Sequence, residues 1–174
     1  DIRENYKQKA IEYFDNIDID FSKYEILGIE KKCDFEINGY KFTGYIDLLL
    51  REKDTGKIVL IDHKSSKYPY GKKGKLLKSE KDKFQQYKRQ LYLYSIQVFN
   101  EYGVFPDRIG WNYFGDRKWD FLDFNKEDYE EAKKWAIDTL EEVRNTSEFP
   151  PTVDFYYCHN LCKFINSYCE YKNY

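Results

Sequence analysis

The chain of 174 residues contains no methionine, only two histidines and only four prolines. Because it also begins with Asp1, we expect a processed protein or an excised fragment, preceded by a segment that can hold functional residues. No apolar run approaches the ~18 residues of a transmembrane helix, which argues against a membrane protein. No signal peptide is visible, so a cytoplasmic location is the default expectation.

A large excess of either charge is also missing. The 29 lysines and arginines nearly balance 31 acidic residues, giving a formal charge of −2, so a surface that is basic throughout is excluded. Hydrophobic residues (41%) and charged residues (34%) exclude a disordered chain. Aromatic residues make up 20% of the sequence and predict a core rich in rings.

Periodicity and turn signals predict an α/β fold with a mixed sheet, in a single domain over 1–174. Residues 1–23 would form an N-terminal helix (2–14) and loop, 24–148 the core, and 149–174 a cysteine-containing tail. Asn38-Gly39 predicts a hairpin, and Asn125 is predicted to cap a helix that reaches residue 145 and ends before Pro150-Pro151. The core elements are strands 24–37, 40–51 and 57–63 in an antiparallel meander, a helix over 81–102, and strands 107–114 and 118–123.

The register of this meander predicts a row of carboxylates. A two-residue loop in the first hairpin pairs residues whose numbers sum to 77, which places Glu30 opposite Asp47. The next turn pairs residues that sum to 109, which places Asp47 opposite Asp62, with Lys64 on the same face. Opposed like charges destabilise a sheet, so either a divalent cation lies between these oxygens or the acids are separately solvated on an exposed face.

The near-neutral total charge hides a strongly basic segment. Residues 64–89 hold ten lysines and arginines against two acids, a local charge of +8 that leaves −10 for the rest of the chain. This segment suits contacts with a phosphate backbone, although a mobile, solvated loop of lysines is equally consistent with it. The candidate DNA-binding residues here are Lys67, Lys72, Lys73, Lys75, Lys88 and Arg89.

Three short motifs follow one another on the expected elements. Gly44-Tyr45-Ile46-Asp47 lies on a strand, Ile61-Asp62-His63-Lys64 ends an apolar strand, and Gln90-Leu91-Tyr92-Leu93-Tyr94 lies on the long helix. Together they resemble the PD-(D/E)xK nuclease superfamily in its RecB-like exonuclease branch, from about residue 24 onward. The resemblance implies a restriction-endonuclease-like core of helix, three-strand antiparallel meander, helix and strand.

The resemblance also implies roles for the residues around the carboxylates. Asp47 and Asp62 would bind Mg²⁺ or Mn²⁺, and the backbone carbonyl of His63 would add another oxygen. Lys64 would orient the attacking water and offset charge on the scissile phosphate. Glu30 joins the metal candidates through the register arithmetic alone. The His63 side chain points to the other face, where we expect it to pack against the core.

The long helix would supply further contacts. Gln90 and Tyr94 lie one turn apart on a common face, from which the resemblance implies contact with the metal site or the DNA backbone, and Gln86 extends this face by a turn. The tyrosines nearby would either stack on single-stranded bases or pack into the core, and packing is favoured for Tyr92. They are Tyr68, Tyr70, Tyr87, Tyr92 and Tyr94.

The C-terminal tail carries three closely spaced cysteines, Cys158, Cys162 and Cys169. The tail is similar to that of iron–sulfur RecB-like nucleases, which implies a [4Fe–4S] cluster, although both spacings are one residue longer than in that pattern. Cys33 or a residue upstream of the chain would be the fourth ligand. The alternatives are zinc held by the three cysteines with His159, or free cysteines.

Three functions are consistent with these observations. The first is a metal-dependent, exonuclease-like deoxyribonuclease that acts in recombination, repair or phage DNA processing. The second is a catalytically inactive nuclease-like module that binds nucleic acid, and the third is a structural domain with a metal-binding tail. For the first, the partner is DNA, delivered with or without a helicase or a recombination or phage protein, and no membrane is involved.

Overall fold

The computed structural model describes residues 4–151, 153–164 and 169–170. Within these ranges the predicted elements between 24 and 145 all occur, each with ends within one residue of the predicted ones. The α/β class is therefore confirmed. The elements are α1 (Glu4–Asp15), β1 (Tyr24–Ile37), β2 (Tyr40–Glu52), β3 (Ile58–Lys64), α2 (Lys81–Tyr102), β4 (Arg108–Tyr113), β5 (Lys118–Asp123), α3 (Lys126–Asn145) and the unpredicted α4 (Phe155–Asn160).

The β1–β2 hairpin forms around the predicted turn. Asn38 and Gly39 both have positive φ angles, 49° and 83°, as a tight two-residue hairpin turn requires. Asparagine and glycine adopt this conformation at the lowest cost, so the turn determines the pairing of the strands. Pairs such as Ile37 with Tyr40 and Lys31 with Ile46 confirm the predicted sum of 77.

The strands form one five-stranded sheet in the order β1-β2-β3-β4-β5. The pairing of Leu48 with Ile61 confirms the predicted sum of 109 between β2 and β3. The strands β3 and β4 run parallel, whereas the other neighbours are antiparallel. A parallel pair needs a crossover, and α2 provides it. The sheet is therefore mixed, as predicted.

Both faces of the sheet are covered by apolar side chains. The larger cluster includes Ile46, Leu60 and Trp111 of the sheet together with Leu91 of α2 and residues of α3. The smaller cluster, on the other face, contains Leu48, Leu50, Val59 and Ile61, with Trp119 and Phe121 packed against it. Burial of a single such side chain stabilises the fold by about 1.5–3 kcal/mol.

The long helix α2 is exposed at its start and buried towards its end. Its buried residues begin at Leu91 and end at Val98. The helix ends at Gly103, whose φ of 73° and N–H bond to the Phe99 carbonyl form a left-handed C-terminal cap. This arrangement leaves the first half of α2 beside the end of β3, where the candidate site residues lie.

The chain divides into two compact units, residues 1–138 and 139–174, and α3 contributes to both. The second unit begins before the tail predicted at 149. It contains α4, whose N-cap Asp154 accepts a hydrogen bond from the Tyr157 N–H at 2.9 Å. Among the described residues, no helix combines the length and the apolar character needed to cross a bilayer.

Candidate active site

Asp47 and Asp62 lie where β2 and β3 cease to pair. The last backbone pair is Leu48 with Ile61. One residue further along, Asp47 Oδ2 accepts a hydrogen bond from the His63 N–H at 2.6 Å. A side-chain oxygen therefore replaces the strand partner that His63 lacks on this side, and it fixes the Asp47 carboxylate beside residue 62.

The alternation of β2 also changes at Asp47. Ile46 belongs to the larger cluster and Leu48 to the smaller one on the opposite face, although a regular strand would place both on one face. In β1, Glu30 has a positive φ of 48° although the pairs on both sides of it keep the sum of 77. The hairpin is thus irregular in both strands at this level.

This irregularity changes the predicted row of three carboxylates. Glu30 is exposed and is not among the residues with a backbone partner in β2. Over the described ranges 4–151, 153–164 and 169–170, no three histidine, cysteine or acidic side chains come together to hold a metal. This arrangement therefore brings together two carboxylates and gives no support to Glu30 as a third ligand, whose role stays a prediction.

Lys64 is held by three groups at once. Its ammonium lies 2.6 Å from Asp62 Oδ2, donates a hydrogen bond to Gln90 Oε1 at 3.1 Å, and lies 3.9 Å from the centre of the Tyr87 ring. The side chain is only 13% exposed. The lysine therefore lies on the same face as Asp62 and points towards α2, as the alternation of β3 predicts.

Asp62 is buried among these groups. Its relative exposure is 5%, and burial raises the pKa of its carboxyl group, while the charge of Lys64 lowers that pKa and the charge of Asp47 raises it. Asp62 Oδ2 is buried, and it lies 2.6 Å from the Lys64 ammonium in an ion pair. Buried acids with a raised pKa are common at functional sites.

Gln90 and Tyr94 extend the contacts of Lys64 along α2. The Gln90 side chain donates from Nε2 to the Tyr94 hydroxyl at 3.3 Å. Tyr94 in turn lies over Gly44, where an added Cβ would be 2.6 Å from the hydroxyl oxygen. The glycine of the first motif and the tyrosine of the third are therefore in direct contact, which the sequence did not predict.

Tyr87 is the residue whose role the sequence analysis missed. It appeared only as one of several tyrosines that would stack on bases or pack, whereas its ring faces the Lys64 ammonium. The signal was present, because Tyr87 precedes Gln90 by three residues and Tyr94 by seven, which places all three on one helical face.

The two carboxylates and the buried oxygen suit a hard divalent cation. Mg²⁺ in proteins is commonly held by one or two carboxylates together with water and substrate phosphate, and the number of carboxylates that Asp47 and Asp62 supply is consistent with such an ion. A third protein ligand from the His63 carbonyl stays a prediction. The donor chemistry of this corner of the sheet therefore fits Mg²⁺ or Mn²⁺.

The lysine-rich segment is anchored rather than loose. Gly71 N–H donates to the Lys75 carbonyl at 3.0 Å, and Tyr70 bridges Leu76, so residues 70–76 form a small hairpin. We call it the basic hairpin, because its exposed residues include Lys72, Lys73 and Lys75. Lys67, just before it, is exposed as well.

Aromatic and acidic groups hold the base of this hairpin. Tyr68 N–H donates to Asp116 Oδ2 at 2.6 Å, and the Tyr68 ring contacts the Tyr113 ring edge to face at 5.5 Å. Tyr70 lies close to the half-buried carboxyl of Asp120, where burial raises the pKa of Asp120 and the Tyr70 hydroxyl lowers it. The loop is therefore fixed at its base.

The other two basic candidates are used within the fold. Lys88 pairs with Asp128 of α3 at 2.7 Å, and Arg89 forms hydrogen bonds to Glu131 of α3 while its guanidinium lies over Trp135. Their charges are thus compensated by α3, which makes them weaker candidates for DNA contacts than the exposed lysines, and their DNA-binding role stays a prediction. Gln86 is exposed on α2.

His63 and Cys33 also differ from expectation. The His63 side chain is exposed rather than packed in the core, and its Nδ1 lies 3.0 Å from Nδ2 of buried Asn112, which donates to the Tyr13 hydroxyl of α1.

Cys33 is fully buried in the larger cluster, and burial raises the pKa of its thiol to about 12. A buried thiol within a strand gives no support to Cys33 as a cluster ligand, and that role stays a prediction.

The tail cysteines are not assembled into a metal site. Cys158, Cys162 and Cys169 are free thiols, and among the described residues they form no group that could hold a metal. The described residues of the tail therefore give no support to a [4Fe–4S] cluster or to zinc.

Comparison with known proteins agrees with the observed fold. The model of the PD-(D/E)XK nuclease superfamily matches residues 3–174, which is nearly the whole chain. No curated protein matches the sequence.

Proposed function

The chain belongs to the PD-(D/E)XK nuclease superfamily, and from this premise we propose that it is a Mg²⁺- or Mn²⁺-dependent deoxyribonuclease of the RecB-like branch. The proposal includes an exonuclease-like action in recombination, repair or phage DNA processing. The observation that supports it best is the ion pair of Lys64 with buried Asp62 beside Asp47, because this set combines a cation-binding pair with a fixed positive charge.

The site residues would have distinct roles in the reaction. Asp47 and Asp62 would hold the metal ion, which when bound polarises the phosphoryl group and lowers the pKa of water. Lys64 would place its ammonium against the water and the developing charge of the phosphate. Gln90 holds the ammonium from α2, and Tyr94 supports Gln90, so both act through Lys64.

The basic hairpin would hold the DNA backbone beside this site. Its lysines are exposed, and the base of the hairpin is fixed to β4 and β5 by Tyr68 and Tyr70. A preformed charged surface binds phosphates without the entropic cost of ordering a loop. We therefore include Lys67 and the three hairpin lysines in the proposed DNA surface, and we leave out Lys88 and Arg89.

The experiment is the cleavage of end-labelled single- and double-stranded DNA in the presence of Mg²⁺ or Mn²⁺. Asp62→Asn and Lys64→Met are expected to lower the cleavage rate by at least about a hundredfold, as is usual when a group that stabilises charge in a transition state is removed. Circular dichroism should show both variants folded. Chelation of the metal should stop the wild-type reaction, and the ladder of products distinguishes exonuclease from endonuclease action.

A matched control is Asp34→Asn, an exposed acid on β1 that pairs with Lys32 away from the site. It should cleave like the wild type. A folded Asp62→Asn variant with full activity would refute the assignment. A wild-type protein that binds DNA but cleaves it with neither ion would support the inactive nucleic-acid-binding module instead.

A further inference from the structure

The Lys64 ammonium has a neighbour that the three sequence motifs do not include. The centre of the Tyr87 ring lies 3.9 Å from Nζ, well within the range of a strong cation–π contact. Lys83 is the other ammonium near this ring, at 5.7 Å, and it is exposed. The closer and more buried lysine is therefore the one that this ring holds.

The three contacts of Lys64 differ in whether they depend on metal binding. An ammonium has three donors, and here its neighbours are the Asp62 carboxylate, the Gln90 carbonyl oxygen and the face of the Tyr87 ring. Asp62 is also the residue with the clearest proposed role in binding a cation. Gln90 and Tyr87 are neutral, so their hold on Lys64 does not depend on the state of Asp62.

The Tyr87 ring is itself firmly placed. It is half-buried, packs against the larger apolar cluster, and has its hydroxyl 3.4 Å from Ser66 Oγ, in the segment that follows Lys64. A ring held by a helix and a loop restricts the rotamers of the lysine in front of it. Tyr87 therefore acts on Lys64 through its ring, and the 3.4 Å contact between its hydroxyl and Ser66 is secondary.

We propose that Tyr87 is a positioning residue, whose ring keeps the Lys64 ammonium directed at the site when Asp62 is engaged elsewhere. The inference rests on the proposed function for its kinetic consequence, but its structural part concerns the protein without metal or DNA. Removal of the ring should lower kcat rather than raise KM, because DNA binding to exposed lysines does not require the ring.

The first test is nuclear magnetic resonance of protein carrying ¹³C-labelled lysine, in the absence of metal and DNA. Protons that lie over an aromatic face shift upfield, so the ε-methylene signal of Lys64, identified by its loss in Lys64→Arg, should lie upfield of the exposed lysines. The shift should persist in Tyr87→Phe and disappear in Tyr87→Leu. A wild-type signal at the position of the exposed lysines would overturn the proposal.

The second test is steady-state DNA cleavage with Mg²⁺. Tyr87→Leu should lower kcat by about five- to thirtyfold, the range from an exposed to a desolvated cation–π contact, with KM little changed, and Tyr87→Phe should restore kcat. The control is Tyr102→Leu, since the Tyr102 ring holds Lys31 and Arg51 at the far end of α2. Equal kcat values for Tyr87→Leu and the control, with both folded, would overturn the proposal. Absence of cleavage in the wild type would reject the nuclease function and leave the resonance test decisive for Tyr87.

Discussion

The contact between Gly44 and Tyr94 leads to a prediction whose magnitude follows from the structure. A Cβ added at Gly44 would lie 2.6–2.8 Å from the hydroxyl and ring atoms of Tyr94, so the ring must move by several tenths of an ångström. Overpacking of this kind costs about 1–3 kcal/mol, and the loss of glycine freedom in the unfolded chain returns about 0.4–1 kcal/mol. Gly44→Ala should therefore lower the free energy of unfolding by about 1–2 kcal/mol.

The assay is urea denaturation of Gly44→Ala, Tyr94→Leu and the double variant. Since leucine removes the ring that the new methyl group meets, the double variant should be less destabilised than the sum of the single ones. Gly44→Ala should also slow DNA cleavage, because the displaced Tyr94 hydroxyl no longer supports Gln90.

The matched control is Gly115→Ala. The nearest heavy atom to a Cβ there, the Ser65 carbonyl oxygen, is 4.0 Å away. This variant should be as stable as the wild type, or more stable by about 0.4–1 kcal/mol. The reasoning is refuted if Gly44→Ala is as stable as the wild type. It is also refuted if the double variant is destabilised by the sum of the Gly44→Ala and Tyr94→Leu effects.

Three further predictions concern other parts of the chain. Replacement of the three lysines of the basic hairpin by glutamine should reduce the slope of log Kd against log salt for DNA by about 2–3, since each released phosphate contact contributes ~0.7–0.9. In the native protein, Cys33 should react with thiol reagents far more slowly than exposed Cys162, because its thiol is buried and its pKa is raised to about 12. Burial raises the pKa of Asp120 above 3.8, so the wild type should lose stability relative to Asp120→Asn as pH rises through the folded pKa, measured by denaturation from pH 4 to 8.

Each of these has its own contradictory result. The control for the hairpin is a triple glutamine variant of the exposed lysines Lys9, Lys41 and Lys126, and an equal change in its slope would show that the effect is not local. Equal reaction rates of Cys33 and Cys162 would disprove the burial of the former. A difference in stability between the wild type and Asp120→Asn that does not vary with pH would show that the Asp120 pKa is not raised.

The sequence predicts the sheet well because its turns determine the pairing. A turn of Asn38 and Gly39 admits one tight hairpin geometry, and the register then follows by counting along each strand as far as Gly28. Between Gly28 and Ile26 an irregularity shifts the register by one residue. The same arithmetic brings Asp47 close to Asp62 and puts Lys64 on the face of Asp62. A regular count cannot detect the local irregularity at Glu30 and Asp47, so the role of Glu30 as a third ligand stays a prediction.

Contacts between distant elements were beyond the sequence analysis. The sequence does not show that Lys88 pairs with Asp128 or that Arg89 pairs with Glu131. These acids lie about 40 residues later, in a helix whose packing face no local pattern reveals. Similarly, the motif sequence does not show why residue 44 is a glycine. The reason is the Tyr94 side chain, which lies where a Cβ would be. Local periodicity determines which face a side chain takes, but the partner on the other element comes only from the tertiary fold.

The hold of α2 on Lys64 has a consequence for folding. Asp47, Asp62 and Lys64 all lie within the meander, whose contacts are between near neighbours in the chain. Gln90 and Tyr87 are separated from Lys64 in the sequence by the basic hairpin, so their contacts with it are less local. Contacts of greater sequence separation form with greater loss of loop entropy. The acids of the site and the Lys64–Asp62 ion pair can therefore assemble before α2 docks, so a partly folded chain would present its carboxylates to cations while the ammonium still lacks its contacts with Gln90 and Tyr87.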